Sequence, residues 1–138
     1  MPFDTPVANP SSFKLEARFQ RVCANCGGVG PFHAHHVVDK QTLRRQGLEK
    51  NQLYDTRNAL RLCEGLTTKR CHFQHENLKL RDPWGKVTTG KLRTTKLLDD
   101  NIEYAFEVLG AYAVDFLRQE YDDIEHDPRI AELESRCD

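Results

Sequence analysis

The sequence predicts a small α+β fold with a C-terminal helical extension. Residues 32–39 have the length and apolar content of a strand, and residues 58–63 alternate enough to be a strand end or the lead into a helix. From residue 98 to about residue 122, apolar residues recur in steps of three and four, which is the pattern of an amphipathic helix. Four cysteines between residues 23 and 71 could tie together this chain of 138 residues, whose core is necessarily modest.

The N-terminal elements are the least regular. Residues 1–12 contain three prolines and little periodicity, and they are predicted to be a flexible arm. Residues 13–21 are predicted to form a short helix or an extended lead-in. In either case Leu15, Phe19 and Val22 are expected to face the core.

The middle of the chain is predicted to alternate between turns, strands and one helix. Residues 23–28 are predicted to form a turn, and residues 42–53 a polar, basic loop with room for one helical turn. Residues 71–80 carry polar side chains at helical spacing and are predicted to form a helix. The Pro-Trp-Gly sequence at residues 83–85 should end it, and the Lys- and Thr-rich residues 86–96 are expected to be exposed.

The C-terminal region is predicted to be helical and to follow the folded unit through a basic linker. One long helix is expected over residues 98–122, favoured at its start by Asp99 and Asp100. A last short helix is expected after Asp127, with Pro128 at its first position. The apolar residues expected to face inward are Ile102, Ala105, Phe106, Leu109, Ala113, Phe116, Leu117, Ile130 and Leu133. The predicted units are an arm (1–12), a domain (13–82), a basic linker (83–97) and an acidic helical extension (98–138).

The charge distribution separates two regions. Residues 40–96 carry fourteen Lys or Arg and five Asp or Glu, a net charge of +9, whereas residues 97–138 have a net charge of −10. The basic region suits a phosphate backbone, so DNA is the expected partner, although a solvated polar surface is the alternative. The candidate phosphate contacts are Arg44, Arg45, Lys50, Arg57, Arg61, Lys69 and Arg70, with residues 86–96 as a further arm.

The expected compartment determines how the cysteines are interpreted. Residues 1–4 do not begin a signal peptide, and no apolar run approaches the length of a membrane span. We therefore expect an intracellular, cytoplasmic protein with no membrane partner. Disulfides are rare in that compartment, so closely spaced cysteines are better interpreted as metal ligands.

The cysteine spacing predicts a structural zinc site. Cys23 and Cys26 are two residues apart in the way that presents two thiolates to one tetrahedral ion. Cys63 and Cys71 are predicted to supply the other two ligands. Seven residues separate this second pair, so His75, one helical turn after Cys71, is the reserve ligand. The alternative is a set of buried, reduced cysteines that act as small apolar residues.

Adjacent histidines suggest a second, catalytic site. On a strand, the side chains of His35 and His36 point to opposite faces, so one can bind a metal ion while the other faces a water molecule. On a helix, Cys71 and His72 point about 100° apart, because one turn takes 3.6 residues. One of that pair can therefore bind the zinc and the other a second metal ion.

These motifs together resemble the HNH nuclease family in its zinc-stapled form. The matching runs are Cys-x-x-Cys at 23–26, His-His-Val-Val-Asp-Lys at 35–40, Asn-Ala-Leu-Arg-Leu-Cys at 58–63 and Cys-His-Phe-Gln-His at 71–75. The resemblance covers about residues 20–80 and implies a ββα-metal motif, in which a hairpin, a loop and a helix surround one divalent ion. The insertion between Cys63 and Cys71 departs from the family pattern, as does Asp39, where proline is frequent.

The resemblance implies a role for each of four residues. His36 matches the general base, which takes a proton from the attacking water. His35 and His72 match ligands of a catalytic ion, Mg²⁺ or Mn²⁺, in addition to the structural Zn²⁺. Asn58 matches the asparagine that fixes the loop over the hairpin through backbone hydrogen bonds. Three further candidates come from the spacing of the residues: His75 and Glu76 as extra ligands, and His33 as a partner of a metal ligand or of a phosphate. The alternative for each is an ordinary exposed polar side chain.

Three classes of function remain open. The first is an HNH endonuclease that nicks or cuts DNA, and the second is a zinc-stapled nucleic-acid-binding module without catalysis. The third is an interaction protein whose acidic helix docks a partner, although that helix could equally pack on the core. The intact His-His-Asn-His set favours the first. Free-standing HNH chains of this size resemble those of phages and mobile elements. Phage packaging proteins, or a second copy bound through the C-terminal helices, are therefore expected partners in a bacterial cell or phage-infected host.

Overall fold

The computed structural model describes residues 9–48, 50–65, 71–72, 80–81, 87–89, 96–121 and 127–136, and this part of the chain has a small α+β fold. Its helices are α1 (Pro10–Phe19), α2 (Lys40–Arg45), α3 (Asp99–Leu109), α4 (Tyr112–Glu120) and α5 (Pro128–Ser135). Its strands are β1 (Phe32–His36), β2 (Ala59–Cys63), β3 (Leu80–Arg81) and β4 (Val87–Thr89). Two 3-10 helices, Lys50–Tyr54 and Thr56–Asn58, precede β2.

Strands β1 and β2 form an antiparallel hairpin at the centre of the fold. The register pairs Phe32 with Cys63 and His36 with Ala59. All five residues of β2 are buried, whereas β1 is partly exposed. The side-chain amide of Gln20 donates to the carbonyl of Ala59 and accepts from the N–H of Arg61, so β2 is hydrogen-bonded on its second side. Both predicted stretches contain a strand, but β1 ends at His36 before the predicted Asp39, and β2 begins at Ala59 after Asn58.

Helix α1 packs on this hairpin with a different face from the one predicted. Phe13 and Ala17, four residues apart, are buried, while Leu15, Phe19 and Val22 are all more than 40% exposed. The prediction for these three residues is wrong, since α1 turns its Phe13–Ala17 face to the hairpin and Val22 lies beyond the end of the helix. The helix also begins at Pro10, within the predicted arm, because the Asn9 side chain accepts from the N–H of Ser12 and caps it.

The long connection between β1 and β2 is more ordered than the predicted loop. Asp39 caps α2 by accepting from the N–H of Thr42, which explains why an acidic residue is compatible with this position. Leu43 and Leu53 are buried under the connection and anchor it to the core. The predicted single helical turn is therefore a helix followed by two 3-10 segments.

The predicted long helix over residues 98–122 is two helices. Gly110 ends α3 with a φ of +58°, a conformation that residues with a Cβ rarely adopt, and α4 starts at Tyr112. The predicted stripe is nevertheless buried in both helices, except that Phe106 is half-buried. The last helix is confirmed, with Asp127 as its cap, Pro128 at its first position, and Ile130 and Leu133 buried.

One hydrophobic cluster joins the hairpin to the C-terminal helices. Leu60 and Leu62 of β2 belong to the same buried cluster as Ile102, Leu117 and Ile130. The acidic extension therefore packs back on the core, which was one of the alternatives open from the sequence. Within the described residues, no helix is both long and apolar enough to cross a membrane.

The predicted helix over residues 71–80 is described only at its ends. Residues 71–72 are helical, but Leu80 lies in β3, which pairs with β4 in a second antiparallel sheet. The prediction that Leu80 is helical is therefore wrong. Residues 73–79 and the predicted break at 83–85 lie outside the described residues.

Candidate metal centre and histidine cluster

Four cysteines converge beside the open end of the hairpin. Their Sγ atoms all lie within 4.8 Å of one another, and those of Cys26 and Cys63 are 3.7 Å apart. A tetrahedral zinc ion with Zn–S bonds of about 2.3 Å would place its sulfur ligands about 3.8 Å apart. The cluster of Cys23, Cys26, Cys63 and Cys71 could therefore bind a structural metal ion such as zinc.

The first two cysteines are held by a tight turn at residues 23–28. The N–H of Cys23 donates to the carbonyl of Gly28, and Gly27 has a φ of +76°. The N–H of Ala24 donates to the carbonyl of Arg61, so the turn is tied to β2. This bond aligns the turn with Cys63 at the end of the same strand.

N–H groups surround the sulfur atoms. The backbone N–H groups of Asn25 and Cys26 lie 3.4 and 3.5 Å from the Sγ of Cys23, and that of Cys71 lies 3.4 Å from the Sγ of Cys63. The Asn25 side-chain amide donates to the Sγ of Cys71 at 3.2 Å. Such donors favour thiolates, the form in which cysteine binds a metal ion.

Cys71 joins the cluster despite the long insertion before it. Its burial raises the pKa of the Cys71 thiol, and burial likewise raises that of Cys26. A bound cation would oppose this effect, because it stabilises the deprotonated thiolate. The predicted four-cysteine ligand set is thus compatible with the geometry, while the reserve ligand His75 lies outside the described residues.

Three histidines meet on the neighbouring face of the hairpin. The two-residue period of β1 places His33 and His35 on one face, and the His72 ring lies beside both. Ring centroids are 3.9 Å apart for His33 and His72, which stack, and 5.6 Å apart for His35 and His72. The Nδ1 atom of His72 is 3.3 Å from a carboxylate oxygen of Glu64. We call His33, His35, His72 and Glu64 the histidine cluster.

His35 is the buried member of the histidine cluster. Only 2% of its surface is exposed, and its Nε2 atom lies 2.8 Å from the hydroxyl of Tyr121. The same hydroxyl donates to the carbonyl of Val37 at 2.9 Å. Tyr121 directly follows α4, so the C-terminal region contacts the histidine cluster through the buried ring of His35.

His36 lies on the opposite face of β1. Its ring stacks on Phe13, with centroids 4.1 Å apart, and meets Tyr54 edge-on. Burial lowers the pKa of His36 to about 3, and the charge of Lys40 adds to this effect, so the imidazole is neutral near pH 7. Its Nε2 atom is buried and has no hydrogen-bond partner among the described residues. As strand alternation predicts, His36 lies away from His35 and His72, on the face of β1 that packs against α1.

Asn58 ties the start of the connection to its end. Its side chain accepts from the N–H of Val38 at 2.8 Å and donates to the carbonyl of the same residue at 2.9 Å. The carbonyl of Asn58 also accepts from the N–H of Val37. Asn58 is fully buried, so these bonds fix the backbone that follows His36.

Two of the arginines predicted to contact phosphate bind groups of the protein instead. Only 8% of the surface of Arg61 is exposed, and its guanidinium donates to the carbonyls of Arg18 and Gly30 and lies over the Phe32 ring, so its assignment to DNA contact is corrected. Arg57 pairs with Asp55 and Glu107, and the hydrogen bond with Asp55 raises its pKa above the ordinary value.

Of the other individual Lys and Arg residues predicted to contact phosphate, the structure describes the side chains of two. Arg44 and Arg45 are exposed at the end of α2. Only the backbone of Lys50 is described. Lys69, Arg70 and Glu76 lie outside the described residues, as do most of residues 86–96.

The sequence indicates His33 only weakly as a site residue and does not indicate Tyr121. The two-residue spacing of His33 and His35 is a signal that was available, because it places both on one strand face. Tyr121 is 86 residues from His35 in the chain, and no local pattern joins them.

Comparison with known proteins identifies no relative of this chain. No protein-family model, curated protein or solved structure matches it. Its function is therefore inferred from the chemistry of its own side chains.

Proposed function

We propose that this protein is a divalent-metal-dependent DNA endonuclease of the HNH type, stapled by a structural zinc ion. The observation that carries the proposal is the meeting of His35 and His72, 5.6 Å apart between ring centroids, next to the four-cysteine cluster. The hairpin of β1 and β2 and the helical residues 71–72 are compatible with the ββα-metal motif that the HNH resemblance implies. The hydrogen bonds of Asn58 to Val38 agree with the loop-fixing role of the middle asparagine.

His35 and His72 are the proposed ligands of Mg²⁺ or Mn²⁺. Two imidazoles leave most positions on such an ion for water and phosphate oxygens. Glu64, near the Nδ1 atom of His72, is suited to orient that ring. When bound, the ion would stabilise negative charge on the phosphate and on the leaving oxygen.

Two histidines are candidates for the general base. The resemblance assigns the base to His36, whereas the geometry favours His33, because His33 stacks on His72 and is exposed. In either case a neutral imidazole takes one proton from a water molecule, whose oxygen attacks phosphorus. The bond from phosphorus to the 3′ oxygen breaks, and that oxygen takes a proton from solvent. The products are a 5′-phosphate and a 3′-hydroxyl.

DNA is the proposed substrate because the chain segment that contains Asn58, Glu64 and His72 is basic. The net charge of +9 over residues 40–96 favours a polyanion, and Arg44 and Arg45 are exposed on α2. Contacts of this kind bind phosphates with little sequence preference and weaken as salt rises.

Plasmid cleavage tests the proposal. Zinc-loaded protein is incubated with supercoiled plasmid and Mg²⁺ or Mn²⁺, and His72→Ala, His33→Ala and His36→Ala are compared with His126→Ala as a control outside the described residues. We expect cleavage by the wild type and the control, and a loss of at least about 100-fold in His72→Ala and in the variant that lacks the base. Zinc content and circular dichroism confirm that each variant is folded. Absence of cleavage by zinc-loaded wild type, or undiminished cleavage by His72→Ala, would refute the proposal.

A non-catalytic nucleic-acid-binding module is the second candidate. The position of His36 favours it, since the histidine that the resemblance assigns as base packs against Phe13, away from His72. Binding of DNA that weakens with salt, without cleavage in either ion, would support this candidate over the nuclease.

A further inference from the structure

Tyr121 connects the C-terminal helices to the histidine cluster. Tyr121 is 1% exposed. Its hydroxyl contacts one group in β1 and one group in the residue that directly follows β1. One is the Nε2 atom of His35 at 2.8 Å, and the other is the carbonyl oxygen of Val37 at 2.9 Å. A buried hydroxyl that contacts both a carbonyl oxygen and a ring nitrogen constrains where the hydrogen atoms lie.

Counting protons assigns the direction of both hydrogen bonds. A carbonyl oxygen can only accept, so the single hydroxyl proton of Tyr121 points to Val37. The hydroxyl oxygen then accepts from His35, whose Nε2 must carry a hydrogen. A neutral imidazole has one N–H, so its lone pair is on Nδ1.

We propose that Tyr121 is a positioning residue that holds His35 in the Nε2–H tautomer and thereby makes Nδ1 the nitrogen that acts in the histidine cluster. The role of Nδ1 as a ligand of the catalytic ion rests on the proposed function, whereas the tautomer does not. A residue that fixes the tautomer and ring orientation of a ligating histidine commonly changes metal affinity by about 10- to 100-fold.

The C-terminal helices hold Tyr121 in place. The N–H of Tyr121 donates to the carbonyl of Leu117 in the last turn of α4. Phe116 and Leu117 are buried in the same helix and share the core with β2. A segment outside the ββα unit thus supplies one of the contacts that orient the site.

Nuclear magnetic resonance of the histidine ring nitrogens tests the tautomer directly. Full-length, zinc-loaded protein is labelled with ¹⁵N, and the two nitrogens of His35 are observed at a pH where its ring is neutral. In wild type we expect a protonated Nε2 and an unprotonated Nδ1, with no averaging of the signals between the two tautomers. In Tyr121→Phe, which removes only the hydroxyl, we expect the signals to move towards a mixture of tautomers.

Tyr104→Phe is the matched control. Tyr104 is equally buried and also donates its hydroxyl to a backbone carbonyl, that of Gln52, but it lies on α3 and is not a partner of His35. Its variant should keep the wild-type His35 signals. A proton on Nδ1 in wild type, or identical His35 signals in wild type and Tyr121→Phe, would overturn the proposal. If Tyr121→Phe does not fold, the wild-type spectrum decides between the two tautomers.

Metal titration separates this inference from the nuclease proposal. Calorimetry with Mn²⁺ should show affinity about 10- to 100-fold lower in Tyr121→Phe than in Tyr104→Phe. If wild type has the expected tautomer and binds Mn²⁺ but does not cleave plasmid, the positioning role stands and the nuclease proposal fails. If cleavage occurs and the tautomer signals do not depend on Tyr121, the nuclease proposal stands and the positioning role fails.

Discussion

Buried amide side chains complete the backbone hydrogen bonding around the site. Asn58 bonds both backbone groups of Val38, and Asn101 of α3 donates to the carbonyls of Arg57 and Ala59 while accepting from the N–H of Leu98. Both amides are fully buried. A buried backbone group without a partner costs about 1–3 kcal/mol, so these amides are structural requirements at the level of single residues.

Replacing Asn58 tests this requirement. Asn58→Ala leaves the N–H and carbonyl of Val38 without these partners, and we expect the free energy of unfolding to fall by about 2–5 kcal/mol. Urea denaturation of the zinc-loaded protein measures it. Gln41→Ala, an exposed amide on α2, should change stability by less than about 0.5 kcal/mol. Equal stability of the two variants would show that the Val38 contacts contribute nothing.

At the scale of elements, α5 begins with a charged cap. The Asp127 carboxylate accepts from the N–H of Arg129 at 2.9 Å and pairs with its guanidinium at 2.7 Å. Arg129 also pairs with Asp99 at the start of α3. Ile130 and Leu133 of α5 are buried, so the cap positions a helix that completes the core.

The cap makes the stability of α5 depend on pH. The hydrogen bond from Arg129 lowers the pKa of Asp127 below its ordinary value. A lowered carboxyl pKa stabilises the fold above the unfolded pKa of about 3.9, and this stabilisation is lost as pH falls through the folded value. Asp127→Asn should keep the cap but be less sensitive to pH than wild type between about pH 5 and pH 2. Chemical denaturation across that range measures the difference, and parallel curves would contradict the role assigned to Asp127.

At the scale of the whole molecule, the cysteine cluster is part of the core. Cys23, Cys63 and Cys71 belong to the same hydrophobic cluster as Leu60 of β2 and Leu117 of α4. A metal ion bound there would hold together the turn at residues 23–28, the hairpin and the helical residues 71–72. Small domains gain a large part of their stability from such sites.

Metal removal tests this dependence. We expect one zinc ion per wild-type chain, and we expect a strong chelator to cause cooperative loss of helical circular dichroism or a large fall in Tm. Cys63→Ser should behave like the chelated protein, whereas Cys137→Ser, outside the described residues, should match wild type. A metal-free protein with an unchanged Tm would show that the four thiols are only buried apolar residues.

Local sequence patterns determined much of the fold and of the candidate site. The two-residue period of β1 predicts that His35 and His36 point to opposite faces, and the structure has them there. The Cys23–Cys26 spacing predicts the turn that presents two sulfurs, and Asp127 followed by Pro128 predicts the start of α5. Each of these patterns depends on geometry within a few residues, which is the range over which a sequence is directly informative.

Only the tertiary structure decided which side chains are available and which meet across the chain. It rotates α1 so that Phe13 is buried in place of Leu15, and it encloses Arg61 between backbone carbonyls where sequence charge alone suggests a DNA contact. It also brings Tyr121 to His35 across 86 residues. Such outcomes depend on how distant surfaces pack and on which buried polar groups need partners, and neither is encoded in the periodicity of one segment.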